Sequence, residues 1–395
     1  MNNITLHHKS DWNTVLAWLP ADMEHTAEKY KAFQRARAIH SPQDLLRMLL
    51  AYALADYSLR DVVAWARNQG IAEISDVAFL HRAQKADTWL AHLLQQLLER
   101  RKIALNTEPK PYRLRIVDAS CLQRPGSTGT DMRLHLTYDL QEACIANAQL
   151  TDAKGGETFT RHTFEKGDIV LADRAYGTRQ GLAHIVEQGA DAIVRLTVSN
   201  LPLQQASAEV VGEGYTEFPL LKALATLKEG ETGEWEVSTL PDPGQGLRRV
   251  FGRLIAWKKS SSQAAQSRKE LGKGASEASL FAAGYVFVFT TLSVVQLSAE
   301  EVLEIYRYRW QIELSFKRMK SLCDLGELRA KDVHLCRTFL YTKLIAFLLL
   351  EDMAAASAAF SPCAFGSMEP VEAPLECVAY SGGSGFRLGE GFRVS

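Results

Sequence analysis

Four residues between positions 306 and 320 carry side chains that could act together on a phosphate. Tyr306, Arg309, Glu313 and Lys320 are separated by three, four and seven positions. At roughly 100° per residue, these spacings place the four side chains within about 60° of one another on an α-helix. Two interpretations of Glu313 follow. It pairs with its neighbours in a surface salt-bridge network, or it holds a metal ion against a phosphate that the cations also bind.

Two further acids each follow a short apolar run. Residues 114–117 precede Asp118 and residues 169–172 precede Asp173, and both runs are rich in aliphatic and β-branched residues. This composition is typical of buried strands, so each aspartate is expected at the end of a strand. An aspartate in that position commonly caps a turn or a helix, which is the structural alternative for each. With Glu313 they make three carboxylates that a fold could bring together.

Three carboxylates around one point repel one another, which raises their pKa values unless a cation neutralises them. Oxygen ligands without histidine or cysteine at metal-binding spacing favour Mg²⁺ or Mn²⁺ over zinc. Two such ions, about 3.5 to 4 Å apart, would activate a water or a 3′-hydroxyl on one side of a phosphodiester and stabilise the leaving oxygen on the other. The three acids and the cations beside them therefore predict phosphoryl transfer on DNA.

The elements that must position these residues predict an α/β fold. Two segments, 234–240 and 249–257, alternate apolar and polar residues as strands do. Five earlier strands are expected near residues 112–118, 132–140, 143–151, 168–173 and 190–197. A helix closed by Gly189 is expected between the last two of them.

The first hundred residues have the start signals of helices. Ser41, followed by a proline, and Ser58, with Asp61 three residues later, are predicted N-caps. A helix, a break at Gly70 and a second helix from Ser75 have the layout of a helix-turn-helix, and a plain helical bundle explains the same pattern. Three residues of the second helix could contact DNA, namely His81, Arg82 and Lys85.

Composition predicts a folded protein of two or three domains, with 395 residues of which 47% are hydrophobic. The net charge of −1 argues against indiscriminate binding of nucleic acid, so local charge matters more. Two basic groups are phosphate-binding candidates, although a solvated face produces the same clusters. One precedes the first predicted catalytic strand and the other surrounds Glu313; they comprise Arg101, Lys102, Lys110, Arg113 and Arg115, and Arg307, Arg309, Lys317, Arg318 and Lys320.

Cysteine usage and hydropathy indicate a cytoplasmic protein. The six cysteines contain no Cys-x2-Cys pair, so neither a zinc knuckle nor a disulfide framework is predicted. The N-terminal residues lack the profile of a signal peptide, and the apolar run 339–350 is too short for a membrane span and contains Lys343. No membrane segment is expected. The polar stretch 258–279 is predicted to be a solvated loop.

These residues resemble the DDE transposases of bacterial insertion sequences, specifically the IS-four branch with its signature Tyr-x2-Arg-x3-Glu-x6-Lys. Tyr306, Arg309, Glu313 and Lys320 match every position of that signature. The block Ile-Val-Asp118-Ala-Ser is similar to the one that carries the first catalytic aspartate of the family. Leu-Ala-Asp173-Arg-Ala-Tyr-Gly is similar to the second block. The resemblance runs from about residue 40 to about residue 355.

The resemblance implies an RNase H-like catalytic core with a β-rich insertion, preceded by an N-terminal all-α domain that binds DNA. The implied divisions are 1–110 (helical), 111–197 (first part of the core), 198–280 (insertion), 281–330 (rest of the core with the glutamate helix) and 331–395 (C-terminal helix and tail).

The resemblance also implies a role for each residue of the motifs. Asp118, Asp173 and Glu313 would be catalytic and would hold two Mg²⁺ ions, for which Mn²⁺ can substitute. Tyr306, Arg309 and Lys320 would bind phosphates of the transposon end. The implied partners are double-stranded DNA, as transposon ends and as target, and a second copy of the chain in a synaptic complex.

Two alternatives to a competent transposase stay open. Residues 361–395 lack a sustained hydrophobic period, whereas relatives continue with a helical region that helps two protomers assemble. A chain with such a tail could bind transposon ends and inhibit its intact relatives without catalysis. A structure-specific nuclease of the same fold would explain the three acids, but not the full four-residue signature.

Overall fold

The described part of the N-terminal sequence forms six helices, and three of them begin at the predicted residues Ser41, Ser58 and Ser75. The hydroxyl of Ser41 accepts a hydrogen bond from the backbone N–H of Asp44, and Ser58 and Asp61 form a reciprocal capping box. The helices are α1 (Lys9–Ala17), α2 (Met23–Lys29), α3 (Pro42–Leu54), α4 (Leu59–Asn68), α5 (Asp76–Gln84) and α6 (Asp87–Leu105). This computed structural model describes residues 9–55, 57–105, 112–206, 217–242, 244, 246–271, 274–325 and 328–359.

A nine-stranded sheet follows these helices, and it contains every strand predicted above. β1, β4 and β5 are parallel neighbours, whereas the remaining pairs in the sheet are antiparallel. The order across the sheet is β3-β2-β1-β4-β5-β9-β8-β7-β6. The strands are β1 (Arg113–Leu122), β2 (Met132–Asp139), β3 (Cys144–Asp152), β4 (Asp168–Ala172), β5 (Asp191–Arg195), β6 (Leu203–Gln205), β7 (Thr232–Thr239), β8 (Phe251–Lys258) and β9 (Tyr285–Thr290).

Helices cover both faces of the sheet because its central strands alternate between two cores. Ile116 and Leu171 belong to one core and Val117 and Ala172 to the other, as the period of two along a strand requires. The predicted helix before β5 is confirmed, and Gly189 just after it has a φ of 72°. The remaining helices are α7 (Arg179–Glu187), α8 (Leu220–Ala225), α9 (Ser261–Glu270), α10 (Glu277–Ala282), α11 (Ala299–Arg307), α12 (Gln311–Cys323) and α13 (Val333–Ala359).

Helix α13 is a core helix that contains a buried charge. Its stretch Val333–Ser357 is long and apolar enough to cross a membrane, and 72% of its most apolar window is buried inside the protein. Lys343 is fully buried there, and its Nζ donates a hydrogen bond to the carbonyl of Asp324, 2.5 Å away. Asp324 ends α12 in the left-handed conformation. The buried lysine therefore satisfies a carbonyl at the C-terminal end of α12.

The prediction of a solvated loop over residues 258–279 is wrong. Two short helices, α9 and α10, occupy most of it. Ser260 forms a capping box with Gln263, and the hydroxyl of Ser276 accepts from the N–H of Ser279. Each helix buries one alanine, Ala264 in α9 and Ala282 in α10. The segment therefore has the polar composition of a loop although its backbone is helical.

The basic group before β1 does not form a free phosphate-binding patch in the described part of the chain. Arg101 is buried and pairs with carboxylates of α13 at 2.8 Å. Arg113 donates to Asp168 at 2.8 Å, and Arg115 forms a buried pair with Asp139. Lys110 and the side chain of Lys102 lie outside the described residues. These arginines neutralise acids around the N-terminal end of β1, opposite the end that carries Asp118.

Candidate active site

The strand register brings Asp118 and Asp173 side by side at the carboxyl end of β4. The prediction that Asp118 ends its strand is wrong, because β1 continues to Leu122 in its antiparallel pairing with β2. Val117 of β1 is paired in parallel with Ala172 of β4, and each aspartate is the next residue along. Asp118 lies within β1, and Asp173 caps the short turn that begins at Arg174, whose N–H donates to its carboxylate at 2.7 Å. Asp173 therefore has the capping role that was the structural alternative for an aspartate after a strand, and it also lies beside Asp118.

The single helix predicted for the four-residue signature is interrupted. Helix α11 ends at Arg307, a 3₁₀ turn spans Tyr308–Trp310, and α12 begins at Gln311. The four side chains therefore stand on three consecutive elements. Tyr306 is only 8% exposed, and its hydroxyl donates to the carbonyl of Ala172 at 3.4 Å. In this position its hydroxyl faces the end of β4.

Arg309 joins the acids of the sheet edge to the acid of the helix. Its guanidinium donates to Glu313 at 2.9 Å and lies 4.0 Å from Asp118, with 13% of the side chain exposed. Helix α12 packs against β1. The structure therefore brings Asp118 and Glu313 to one guanidinium, beside the strand end that carries Asp173. Lys320 is exposed further along α12.

The pKa of Asp118 is raised to about 7, chiefly because the carboxyl group is buried. The charges of Glu157 and Asp173 contribute to the rise, while a hydrogen bond from Ala119 and the charge of Arg309 oppose it. Burial and the charge of Asp173 also raise the pKa of Glu157. Glu157 was not predicted from the sequence, because it lies outside every periodic segment and motif described above.

The donor set fits a divalent cation in its chemistry. The acids that converge here offer carboxylate oxygens, which hard cations prefer, and their repulsion is the condition that a cation relieves. Within the described ranges, the side chains do not form a group of three or more acids, histidines or cysteines already arranged around a metal position. In this conformation Arg309 supplies positive charge between Asp118 and Glu313.

Two buried histidines beside the site are expected to make the protein sensitive to acid. His162 bonds to the hydroxyl of Thr137 at 2.8 Å, and His135 bonds to that of Thr151 at 2.9 Å. Burial lowers the pKa of His162 to about 3 and that of His135 to about 4. In the unfolded chain a histidine has a pKa of about 6.5, whereas these two are held neutral to a much lower pH in the folded protein. The folded state is therefore fully stable above about pH 6.5, and it loses stability as the pH falls from there towards the pKa values of the folded state.

We expect the free energy of unfolding to decrease by roughly 3 kcal/mol or more between pH 7 and pH 4 from these two groups. Denaturant titrations over that range measure it. The variant His162→Gln should show a flatter pH dependence, whereas His81→Gln, at an exposed position of α5, should keep the slope of the original protein. Equal slopes in all three proteins would contradict the assignment.

Comparison with known proteins identifies similar sequences over most of the chain. The family model described as "Transposase DDE domain" matches residues 109–349. The InsL protein for insertion sequence element IS186A of Escherichia coli K12 is 34% identical over 90% of this chain and 97% of its own length. The transposase for IS421 of Escherichia coli has the same identity and coverage.

More distant similarities extend to other species. The transposase for IS231F of Bacillus thuringiensis subsp. israelensis is 29% identical over 65% of this chain and 60% of its own length. The cryo-EM structure of the piggyBac transposase synaptic complex with hairpin DNA aligns with a TM-score of 0.39 and 8% identity, covering 91% of this chain and 84% of that one. The matched range 109–349 contains Asp118, Asp173 and the whole four-residue signature.

Proposed function

Because this chain belongs to the DDE transposases of insertion sequences, enzymes that act on DNA, we propose that Asp118, Asp173 and Glu313 are its catalytic acids. The observation that supports this assignment is their convergence. Two neighbouring parallel strands present the aspartates side by side, Asp118 within β1 and Asp173 just after β4, and Arg309 reaches from Asp118 to the glutamate of α12. The reaction is metal-dependent cleavage at terminal inverted repeats, followed by strand transfer into target DNA.

The proposed roles follow from the chemistry of each side chain. The family uses divalent metal ions, and we propose two Mg²⁺, replaceable by Mn²⁺, as Lewis acids at Asp118, Asp173 and Glu313. Arg309 is suited to grip a phosphate with two parallel N–H groups once it leaves Glu313, whereas Lys320 acts as a point charge. Tyr306 positions the start of the 3₁₀ turn against β4 through its hydrogen bond to Ala172.

We propose that β1 to β5 form an RNase H-like core, supported by the parallel neighbours β1, β4 and β5, of which β1 and β4 present the two aspartates side by side. The proposed domain boundaries are those implied by the family resemblance: helical domain 1–110, core 111–197 and 281–330, insertion 198–280 and C-terminal region 331–395. The helical domain would contact the transposon end through exposed residues of α5 such as His81 and the following Lys85. The working assembly would be a homodimer holding two ends, in the cytoplasm.

The test uses DNA duplexes that carry the terminal inverted repeats flanking the gene. We expect the full chain to bind them and, with Mn²⁺ or Mg²⁺, to nick them at the repeat boundary. Asp118→Asn and Asp173→Asn should bind but not nick. Binding without any nicking by the unaltered protein would favour the inhibitor, and metal-dependent nicking without preference for the repeats would favour a nuclease.

Lys320 offers a test of the phosphate contacts that leaves the acids intact. Each phosphate contact that is lost reduces the slope of log affinity against log salt by about 0.9 for duplex DNA. We therefore expect Lys320→Ala to weaken binding to the ends and to reduce that slope by about one. Fluorescence anisotropy from low to moderate salt measures both. An unchanged slope would argue against a phosphate contact at Lys320.

A further inference from the structure

A fourth acid, Glu157, is held beside the catalytic carboxylates by the loop that follows β3. Arg133 donates from its Nη1 to the carbonyl of Gly155 at 3.1 Å, and Arg161 donates from its Nε to the carbonyl of Gly156 at 2.8 Å. A side chain at position 155 would overlap Thr151, so the loop needs glycine there. Glu157 is half-buried and directly follows two residues whose carbonyls are held by arginine side chains.

A buried hydroxyl without a partner lies at the same place. Tyr176 is fully buried, and its hydroxyl has no hydrogen-bond partner among the described residues. Its ring packs against Phe159, two residues after Glu157, at 5.2 Å between centroids. Tyr176 lies in the short turn that Asp173 caps, and its N–H donates to the carbonyl of Asp173 at 3.0 Å. Burial raises the pKa of this phenol, and the charges of Asp118 and Glu157 contribute to the rise.

A second donor beside Glu157 is also unsatisfied. The Nε of Arg133 is buried and has no partner in the described part of the chain, although the same side chain anchors Gly155 through its Nη1. Buried donors are nearly always paired, by protein, by ordered water or by a ligand. Two unpaired donors therefore lie near these acids, and each has room in its bonding for an ordered water or a ligand.

We propose that Glu157 is a fourth acidic residue of the metal centre, and that it acts on a divalent cation held by Asp118 and Asp173 through the water shell of that cation. This inference rests on the proposed function of the two aspartates. Mg²⁺ commonly retains several waters and takes only one or two carboxylates from a protein. Tyr176 and Arg133 would donate to the same waters or to the carboxylate oxygens.

The test compares Mn²⁺ affinity with stability in Glu157→Gln, using the full chain without DNA. We expect the dissociation constant for Mn²⁺, measured by the paramagnetic resonance of the free ion, to increase about tenfold, as for other outer-shell partners. The thermal midpoint without metal should stay unchanged or rise, because one charge is removed from a repelling group. Glu236→Gln, at an exposed position of β7, is the matched control and should behave as the original protein.

Asp118→Asn separates the possible failures. If that variant loses Mn²⁺ binding while Glu157→Gln keeps full affinity, the fourth acid is overturned and the proposed centre stands. If neither substitution changes the affinity, both proposals are overturned. A midpoint of metal-free Glu157→Gln that is lower by several degrees would assign Glu157 a structural role and also overturn the inference.

Tyr176→Phe gives a second readout of the same pocket. Removing a buried hydroxyl that has no partner should leave the metal-free thermal midpoint unchanged or higher, and the rise in midpoint caused by Mn²⁺ should become smaller. A lower metal-free midpoint together with the full Mn²⁺-induced rise would show that the hydroxyl serves the fold and not the ion, against the proposal.

Discussion

Glu313→Gln is expected to abolish strand cleavage and transfer while binding to the transposon ends survives. The amide keeps the shape of the side chain and its acceptor towards Arg309, 2.9 Å away, but removes the negative charge that a divalent cation needs. Loss of several kcal/mol of transition-state stabilisation corresponds to a decrease of about a thousandfold or more in rate. Gel assays of cleaved end DNA and of bound DNA measure the two quantities separately.

The matched control is Glu304→Gln, at an exposed position of α11. It should cleave as the original protein does, because it lies outside the converging acids. Cleavage by Glu313→Gln at more than a tenth of the original rate would contradict the assignment of Glu313. Loss of end binding in that variant would instead show that the glutamate is needed to hold Arg309 and α12 in place.

Arg309→Gln is expected to have two opposite effects. Without DNA, the affinity for Mn²⁺ should increase by roughly tenfold, because the guanidinium that now neutralises Glu313 and Asp118 competes with the cation. With DNA, cleavage should decrease by about a hundredfold or more, because the bidentate phosphate contact is lost. Metal titration of the free protein and single-turnover cleavage of end DNA measure the two effects.

Arg318→Gln provides the comparison for Arg309, since Arg318 is exposed on α12, the helix that follows the turn carrying Arg309. It removes the same charge from a nearby position, so any general effect of net charge on metal affinity appears in both variants. A larger affinity change in Arg309→Gln than in Arg318→Gln is the expected result. Equal or weaker metal binding in Arg309→Gln would mean that the arginine does not occupy the position needed by the cation.

The two aspartates were predictable from the sequence because one physical rule governs them. A buried run of aliphatic residues specifies a strand, and the carboxyl ends of neighbouring parallel strands meet at one edge of a sheet. Residues 114–117 and 169–172 carry that pattern, and the observed pairing of Val117 with Ala172 is its result. The helical spacing of the four-residue signature also predicted a helix that carries Glu313, and α12 is that helix and packs against β1.

The interruption between α11 and α12 was not predictable, because Tyr308–Trp310 contains neither glycine nor proline. Local propensity allows an α-helix to continue there, and tertiary packing decides otherwise. Tyr306 lies in α11, before the interruption, and its hydroxyl points into the protein towards Ala172. A rule based on 100° per residue gives the direction of a side chain only while the helix is unbroken.

Glu157 escaped prediction for a different reason. It stands in an irregular loop, where no period assigns a face, and its neighbours in space come from β1, the end of β4 and β2. The only local signal is the pair of glycines before it, which marks a tight turn but not its direction. Residues 258–279 show the converse problem, because short capped helices that bury almost nothing cannot be distinguished from loops by composition.

The position of β9 in the sheet limits how far this enzyme can be trimmed. β9 pairs with β8 along all of Tyr285–Thr290 but with β5 only over residues 288–290. Excising 198–280 to obtain a miniature nuclease would therefore strip most of the hydrogen-bond partners from the strand that leads into α11. The exposed edge would invite aggregation. A shortened enzyme must therefore keep the strands of the insertion or replace them with another strand that pairs with β9.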